Sequence, residues 1–535
     1  MAVEDFLRRS ISRRTALKAS SAALLASQLA LFEELAVTPV RPAFAAPAFP
    51  DIQFDNGAFV HGPATFNDGA GNVVAQFGVT YTLLVPARLT RNPTRADQTT
   101  LANALATVEA TFPASPSGVL ITSLSYGLPY FNRLPASLVA SRMPRLTSNT
   151  SRFVLEESPA FPTDAGQPGI TKDRFTNRVA IESNDVLFEL RSDVLGNLVD
   201  VSAWVAGSNS LNGRNVASPA FNGLFSFQTP RLQFVQPGLP RKVADAAFSN
   251  ISNQLYEYHT RINPDSSMTM GFVDQQTNAS APPSDIIFAS TGAGAGLTTA
   301  KAGDYFDNGA IAHFSHDIED LYQFYATPNQ DSRHPDGEPF TERVMYMFRA
   351  NQLGTSNGLP ASGNSDQFTN GGGPAFINNV FQGNNSVTHE ANAKTTPFGP
   401  APNNTQDNTF TGLPRIGHIA GLQRFGRTSS GKPLHIRNDG PGFDSMDVGA
   451  FQLFPGGPQV GSGTNQFKLQ FLVFVPTAEL FRQMRVGVAA QDLQAPNGKV
   501  ADDDNGLERF ITATRRQNFL VPPRRHRSFP LLELT

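Results

Sequence analysis

The chain has 535 residues, of which 40% are apolar and 16% are charged, a composition typical of a globular protein long enough for two domains. Its formal charge of −3 provides no electrostatic footprint for nucleic acid or anionic lipid, so neither is an expected partner. Because cysteine is absent, disulfides, thiolate metal or haem ligands and cysteine nucleophiles are all excluded.

The first 45 residues have the pattern of a twin-arginine export signal. Residues 12–18 (SRRTALK) contain the paired arginines, residues 19–32 form a modest apolar stretch, and residues 43–45 (AFA) supply a small-x-small cleavage site. A membrane-surface helix or an uncleaved anchor is the alternative, but the stretch is short for crossing roughly 30 Å of hydrocarbon. We expect the Tat translocase to export the folded chain to the periplasm or the extracellular space, without stable membrane insertion.

The first half of the mature chain alternates between strand and helix patterns, in the order β-α-β and again β-α-β. The predicted elements are a strand or bent strand pair at Val73–Leu89, a helix at Asp97–Phe112, strands at Gly118–Leu124 and Asp185–Leu190, a helix at Asp193–Ala206, and a strand within Leu224–Val235. An irregular insertion occupies about 128–177. This order predicts a split ferredoxin-like domain, in which the helices pack on one face of an antiparallel sheet.

The second half repeats this pattern more loosely. Its predicted elements are a strand at Ala310–Phe314, a helix at His316–Tyr325, a strand at Phe467–Val475, and a helix at Thr477–Ala490 with Thr477 as its N-cap. The segment 350–412 is dominated by Asn, Gly, Pro, Ser and Thr, and so is either a functional loop or poorly ordered. The fold class predicted is α+β, with ferredoxin-like domains at 46–240 and 241–535.

Arginine pairs near the C-terminus, at 515–516 and within 524–527, are isolated in an acidic protein. They are expected to form ion pairs across the two domains and not to recruit a polyanion.

Five short segments resemble the dye-decolorizing peroxidase superfamily, in the same chain order. They are residues 185–190 (DVLFEL), 271–274 (GFVD), 426–434 (GRTSSGKPL), 435–437 (HIR) and 469–481 (LQFLVFVPTAELF). The resemblance implies two tandem ferredoxin-like domains of the dimeric α+β barrel-like superfamily. It also implies a haem b cofactor and reduction of hydrogen peroxide by a separate electron donor.

The resemblance further implies roles for single residues in the second domain. His435 matches the proximal haem ligand, and Asp274 matches the distal aspartate that exchanges a proton with peroxide. An imidazole ligand is oriented when its other nitrogen donates to an acceptor such as a carboxylate. Asp444 and Asp447 are the nearest carboxylates in sequence.

Peroxide cleavage also needs a fixed cation to stabilise charge on the departing oxygen. We take Arg437 as the catalytic cation and Arg427 as a cofactor-binding residue, although Arg437 would equally brace a loop by pairing with Asp439 or Asp444. The sequence-local candidates for the cation are Arg261, Arg424, Arg427 and Arg437.

The same residues have structural alternatives. A histidine in a loop, such as His435, is ordinarily a hydrogen-bonding group, and Asp274 is suited to capping a turn. No arginine occurs between Asn438 and Phe481. A second hypothesis therefore stays open, in which a catalytically degenerate relative keeps the fold as a binding or structural module.

A third hypothesis is a metal-dependent hydrolase. His313, His316 and Asp317 are closely spaced, with His334 further along, and two imidazoles and a carboxylate would suit a divalent metal. Asp317 is explained equally well as an acidic residue in the first turn of the predicted helix, where the helix dipole stabilises it.

Overall fold

The computed structural model describes residues 49–55, 61–67, 72–113, 120–167, 172, 174–219, 221, 223–248, 262, 266–270, 280–324, 418, 422, 425–428, 432–452, 459–489 and 507–535. The predicted export signal, the segment 350–412, and Asp274, Arg261, Arg424 and His334 lie outside these residues.

The described residues form mainly antiparallel strands connected by helices and loops, with residues 180–181 parallel to residues 515–516. The strands are β1 His61–Asn67, β2 Asn72–Phe77, β3 Tyr81–Leu89, β4 Ile121–Tyr126, β5 Ala180–Ile181, β6 Val186–Ser192, β7 Ser210–Leu211, β8 Arg214–Asn215, β9 Phe225–Phe227, β10 Arg231–Phe234, β11 Ala310–Glu319, β12 Ile436–Arg437, β13 Gly440–Asp444, β14 Phe451–Gln452, β15 Gln459–Val460, β16 Gln466–Val475 and β17 Ile511–Val521. The α-helices are α1 Arg95–Thr111, α2 Leu128–Phe131, α3 Ala136–Arg142, α4 Leu195–Val205, α5 Leu239–Phe248, α6 Pro283–Ile286 and α7 Ala478–Ala489, and 3₁₀ turns lie at Arg524–His526 and Leu532–Leu534.

The first unit contains β3, β4, β6 and β10, which lie side by side in the order β10-β3-β6-β4. Helix α1 follows β3 and helix α4 follows β6. With the strands numbered by their order in the chain, the spatial order is 4-1-3-2, the ferredoxin-like arrangement. The predicted strands and helices of the first half are confirmed, and the segment predicted at Val73–Leu89 is the pair β2 and β3.

The second unit repeats the same topology with β11, β12, β16 and β17, in the order β17-β11-β16-β12. Strand β13 continues the edge that β12 begins, because both pair with β16. Helix α7 connects β16 to β17, and the Thr477 hydroxyl accepts a hydrogen bond from the Leu480 backbone N–H at 3.0 Å, which confirms the predicted N-cap. The predicted α+β class with two ferredoxin-like units is confirmed.

Strand β11 is longer than predicted, and the helix predicted at His316–Tyr325 is wrong over its first four residues. Residues 316–319 continue β11 and residues 321–324 are helical, while residue 325 lies outside the described residues. The strand lies between β16 and β17 and is buried along its whole length. A strand buried on both faces lacks a simple apolar-polar alternation, so its end could not be recognised from the pattern.

The helices cover one face of each unit, as predicted. Leu101, Leu105 and Val108 of α1 and Leu198 and Trp204 of α4 are buried against the sheet of the first unit. In the second unit, the buried residues of α7 join the same apolar cluster, which also contains Val473 and Ile311 from the sheet.

The strands of the two units join in one sheet, and the face that the helices leave uncovered encloses a barrel interior. On one side, β4 pairs with β17 at Tyr126 and Leu520. On the other side, β10 lies against β13, where a Cβ on Gly442 would be only 3.0 Å from the Leu232 carbonyl oxygen. Glycine at this position therefore permits the close approach of the two strands, and the barrel-like arrangement implied by the resemblance is present.

One part of the barrel interior is apolar. Phe54, from the segment that precedes β1, stacks on Phe474 of β16 with ring centroids 4.9 Å apart. The other buried members of this cluster are Leu84, Leu187, Ala281, Ile286, Ala310, Ala312, Phe314, Leu472, Phe519 and Val521. The remaining interior is polar, as described below.

The arginines near the C-terminus form ion pairs between the units, as expected. Arg515 of β17 pairs with Asp447 at 2.6 Å and lies 3.7 Å from Glu182, which precedes β6. Arg524 and Arg527 both bind Glu109 of α1 at 2.7 Å. These pairs attach the C-terminal segment to both halves of the fold.

Helix α1 begins with a complete capping box. The Thr94 hydroxyl accepts from the Asp97 N–H, and the Asp97 carboxylate accepts from the Thr94 N–H at 2.7 Å. Replacing Thr94 by alanine is expected to lower the free energy of unfolding by ~1 kcal/mol, because an N-terminal N–H loses its acceptor. Urea denaturation would measure the change, with Thr99→Ala on the exposed side of the same helix as the control; equal effects would contradict the capping role.

Among the described residues, we find no helix that combines the length and the apolar character needed to cross a bilayer.

Candidate active site

His435 directly follows residues 432–434, which pair antiparallel with residues 426–428. The Leu434 N–H donates to the Gly426 carbonyl at 2.9 Å, and the Thr428 N–H donates to the Lys432 carbonyl at 2.8 Å. On the other side, the His435 carbonyl accepts from the Ala281 N–H at 2.9 Å. The glycine- and proline-containing segment that resembles a known motif is thus the support that positions this imidazole.

The His435 imidazole is buried, with 2% of its surface exposed. Burial lowers its pKa to about 4, helped by the positive charge of Arg427 and opposed by the hydrogen bond to Gly426. The ring is therefore neutral near pH 7. His435 is therefore not a hydrogen-bonding group at the protein surface, which was the alternative to a site residue.

The hydrogen bond to Gly426 also determines which nitrogen carries the proton. His435 Nδ1 lies 3.3 Å from the Gly426 carbonyl oxygen, which can only accept, so Nδ1 is the donor. The lone pair is then on Nε2, for which no hydrogen-bond donor is found within the part of the chain that the structure describes. A neutral imidazole with Nδ1–H directed to an acceptor and Nε2 available is the form that binds a metal.

Arg427 and Arg437 lie on either side of His435 in the chain. Arg427 belongs to the segment 426–428, bridges to Pro433, and is buried. Arg437 belongs to β12 and pairs with Val473 of β16, so the two side chains share the helix-covered face of the sheet. In an extended chain the Cα atoms of Arg437 and His435 are separated by about 6–7 Å. The structure therefore brings three of the four predicted site residues together; Asp274 is outside the described residues.

Arg437 also interacts with a nearby carboxylate. Burial raises the pKa of Asp439, and the charge of Arg437 opposes this shift. Asp439 can therefore pair with Arg437 and brace the loop, as the sequence left open. Asp444 is directed to the opposite face of the sheet.

The carboxylates suggested as acceptors for His435 are wrong. Asp444 accepts from His316 and Gln470 and from the Met446 N–H, and Asp447 pairs with Arg515. The acceptor for His435 is the Gly426 carbonyl, and Asp444 lies on the opposite face of the sheet from Arg437. Burial disfavours the ionised Asp444, but His316 and Lys468 together lower its pKa to about 2.

The proposed metal cluster at His313, His316 and Asp317 is not formed. His313 faces α7, where its ring stacks on Phe481 at 3.7 Å, while His316 faces the barrel interior. The two histidines are three residues apart on one strand, and this odd spacing places them on opposite faces. Within the described ranges, no group of three or more histidine, aspartate or glutamate side chains is arranged to bind a metal.

A buried ionic cluster on the helix-covered face of the second unit was not anticipated. Arg516 pairs with Asp164, and Arg485 binds Glu508 at 2.7 and 2.9 Å. Ser315, Asp317 and Glu319 lie on the same strand nearby, and the Ser315 hydroxyl donates to Asp317 at 2.8 Å. The only sequence signal was polar residues at every second position of 315–319, a period of two within an apolar strand.

Burial raises the pKa of both strand carboxyls in this cluster. The pKa of Asp317 rises to about 6, opposed by Ser315 and Arg516. The pKa of Glu319 rises to about 7, opposed by its hydrogen bond from Thr269 and increased further by the charges of Asp317 and Asp439. These groups therefore take up protons at a higher pH than ordinary carboxyls.

Solved structures similar to this chain are named as dye-decolorizing peroxidases. A dye-decolorizing protein from Vibrio cholerae is 10% identical with a TM-score of 0.43, over 84% of this chain and 96% of that one. A dye-decolorizing peroxidase from Bacteroides thetaiotaomicron is 12% identical with a TM-score of 0.42, over 86% and 99%. A DypB variant from Rhodococcus jostii in complex with haem is 12% identical with a TM-score of 0.40, over 84% and 95%. The fold assignment rests on the strand order described above.

No curated protein matches this chain. A family model described as a family of unknown function matches residues 80–348, which is half of the sequence and includes β3 through β11. The chain therefore belongs to the family of unknown function DUF7405.

Proposed function

We propose that the chain is an exported, haem-dependent, peroxidase-like oxidoreductase that reduces hydrogen peroxide with a separate electron donor. The observation that carries this proposal is the state of His435: a buried, neutral imidazole whose Nδ1–H is directed to a carbonyl and whose Nε2 retains its lone pair. The names of the structural neighbours agree with the proposal but are not an argument for it.

The residues around His435 fit the requirements of a haem site. His435 Nε2 would hold the iron, and the buried Arg427 guanidinium would bind a carboxylate of the cofactor. When bound, haem supplies the two-electron chemistry that reduces peroxide to water. Asp274 would take a proton from one peroxide oxygen and return it to the other, and Arg437 would stabilise negative charge near the departing oxygen.

Haem binding is tested by reconstituting the purified mature chain and recording its absorption spectrum. We expect a Soret band in the wild type and its loss in His435→Ala, with partial return when imidazole is added to occupy the cavity left by the side chain. His526→Ala, a substitution of a partly exposed histidine near the C-terminus, is the matched control and should keep the band. A folded wild-type protein that gives no Soret band would overturn the proposal.

The role of Asp274 has a separate test. Asp274→Asn is expected to keep the Soret band and to lower peroxide turnover by roughly 10²–10⁴-fold, the usual contribution of an acid–base group. Unchanged turnover with haem bound would leave the haem site in place but remove Asp274 from the mechanism. Arg437→Lys tests the cation in the same assay.

Export is part of the proposal and rests on residues 12–18 and 43–45. Replacing Arg13 and Arg14 together by lysine should retain the unprocessed precursor inside the cell, whereas the wild type should be found processed outside the cytoplasm. Cell fractionation and N-terminal sequencing would measure this; equal distribution of the two forms would contradict Tat export.

A further inference from the structure

The polar part of the barrel interior contains several side-chain atoms that lack hydrogen-bond partners. They come from four residues that are 0–5% exposed, two arginines and two glutamines. The atoms are Nε and Nη1 of Arg231, Nη1 of Arg191, Oε1 of Gln233 and Oε1 of Gln470. Leaving even one buried polar atom without a partner costs about 1–3 kcal/mol, so a group of five indicates a bound species.

The strand register places these atoms near one another. Thr82 pairs with Arg191 on one side and with Gln233 on the other, and Leu84 pairs with Arg231 in the next row. Gln470 approaches from β16. A Cβ on Gly442 would lie 2.9 Å from the Gln470 side chain and 3.0 Å from the Leu232 carbonyl, next to Gln233.

Contacts between the units lead to the same location. The Arg231 guanidinium lies 4.4 Å from the ring centroid of Phe314 in β11. The next residue of β11 on the same face is His316, which pairs with Gln470 of β16. Gln233 Nε2 donates to the Asn438 carbonyl at 2.9 Å, and the Asn438 side chain donates to Glu189. The unpartnered atoms therefore belong to side chains that all face the barrel interior, on strands of both units.

The hydrogen-bonding character of the bound species follows from these atoms. Both glutamine amides are oriented by a donated bond, Gln233 to the Asn438 carbonyl and Gln470 to the Asp444 carboxylate at 3.2 Å. Their Oε1 atoms are consequently acceptors, while the arginine atoms are donors. The species must donate and accept at the same site.

Each base beside these atoms has an acid as a neighbour. Glu182 pairs with Arg231 at 2.6 Å, while Arg191 lies 3.8 Å from Glu189 and Lys468 lies 3.8 Å from Asp444. None of these three bases is therefore an unpaired charge that requires a bound anion.

We propose that the barrel interior holds a cluster of ordered water molecules that joins Arg191, Arg231, Gln233 and Gln470. Water is neutral and both donates and accepts, and a buried water makes about three hydrogen bonds, so on the order of two molecules satisfy the five atoms. The cluster extends the polar contact between the two units, and it does not depend on haem.

A crystal structure of the mature chain at a resolution that shows ordered water tests this directly. We expect density for single water molecules within hydrogen-bond distance of Arg231 and of at least one of the two glutamine Oε1 atoms. Collapsed side chains with no density between them, or density for a polyatomic anion, would overturn the proposal.

Magnetic relaxation dispersion of ¹⁷O-water tests the same site in solution, because enclosed waters exchange slowly enough to contribute to it. Gln470→Met keeps the volume but removes the acceptor, and it should reduce the dispersion amplitude while circular dichroism shows an intact fold. Gln483→Met on the outer surface of α7 is the matched control and should leave the amplitude unchanged. An equal amplitude in Gln470→Met and the wild type would count against the cluster.

Discussion

Replacing Arg516 by methionine should lower the free energy of unfolding by about 3–5 kcal/mol, because it leaves a buried carboxylate without its cation. Arg516 and Asp164 form an ion pair in which each side chain is only 2% exposed. Methionine fills much of the volume, but the Asp164 carboxylate would remain buried without its cation. Chemical denaturation monitored by circular dichroism would measure the loss.

A surface pair provides the control for this prediction. Arg482 binds Glu479 at 2.6 Å, but its side chain is 45% exposed, so Arg482→Met should cost no more than ~1 kcal/mol. Both substitutions remove an arginine from an ion pair, but Asp164 would be left buried without its cation, whereas Glu479 is still bound by Arg152. If Arg516→Met were no more destabilising than Arg482→Met, the ionic cluster would not contribute to stability as argued.

Replacing Glu319 by glutamine should stabilise the protein at alkaline pH and leave its stability nearly unchanged in acid. The pKa of Glu319 is about 7 in the folded chain, raised first by burial, and about 4.3 in an unfolded chain. Below about pH 4 both states are protonated, so the carboxyl contributes no difference. As the pH rises to about 7, the unfolded state ionises first, and the folded state loses stability relative to it.

The neutral amide does not titrate, so the variant avoids that loss. At about pH 8 we expect Glu319→Gln to be more stable than the wild type by ~3 kcal/mol, with the gain disappearing towards about pH 4. Glutamine can still accept the hydrogen bond from Thr269 through its Oε1. Urea denaturation across this pH range measures the effect, with Glu157→Gln at an exposed position as the control. A gain that is independent of pH would show that Glu319 does not titrate in this way.

The sequence could predict the part of the candidate site whose residues are neighbours in the chain. Arg427 bridges to Pro433, and His435 and Arg437 follow within four residues of that proline, so a contiguous motif was enough to place the three together. The acceptor of His435 was not predictable, because a backbone carbonyl leaves no trace in residue identity. Proximity in sequence suggested Asp444 instead, and the alternation of β13 directs that side chain into the barrel.

The partners of the buried charged residues could not be predicted from the sequence either. Arg516 and Asp164 are separated by 352 positions, and Arg231 reaches Glu182 across 49. Neither residue of such a pair has a local pattern that distinguishes it from a solvated charge. Only the packing of the strands decides which charges are buried and therefore must be paired.

By itself, the sequence determined the elements whose patterns are local. The helical spacing of Leu101, Leu105 and Val108 and the apolar run of β16 were sufficient to predict two α+β units. Tertiary structure alone decided how far β11 extends, where the units meet, and which side chains face the interior. The physical reason is that a strand covered on both faces loses its alternation, while closure of the barrel depends on contacts between residues distant in the chain.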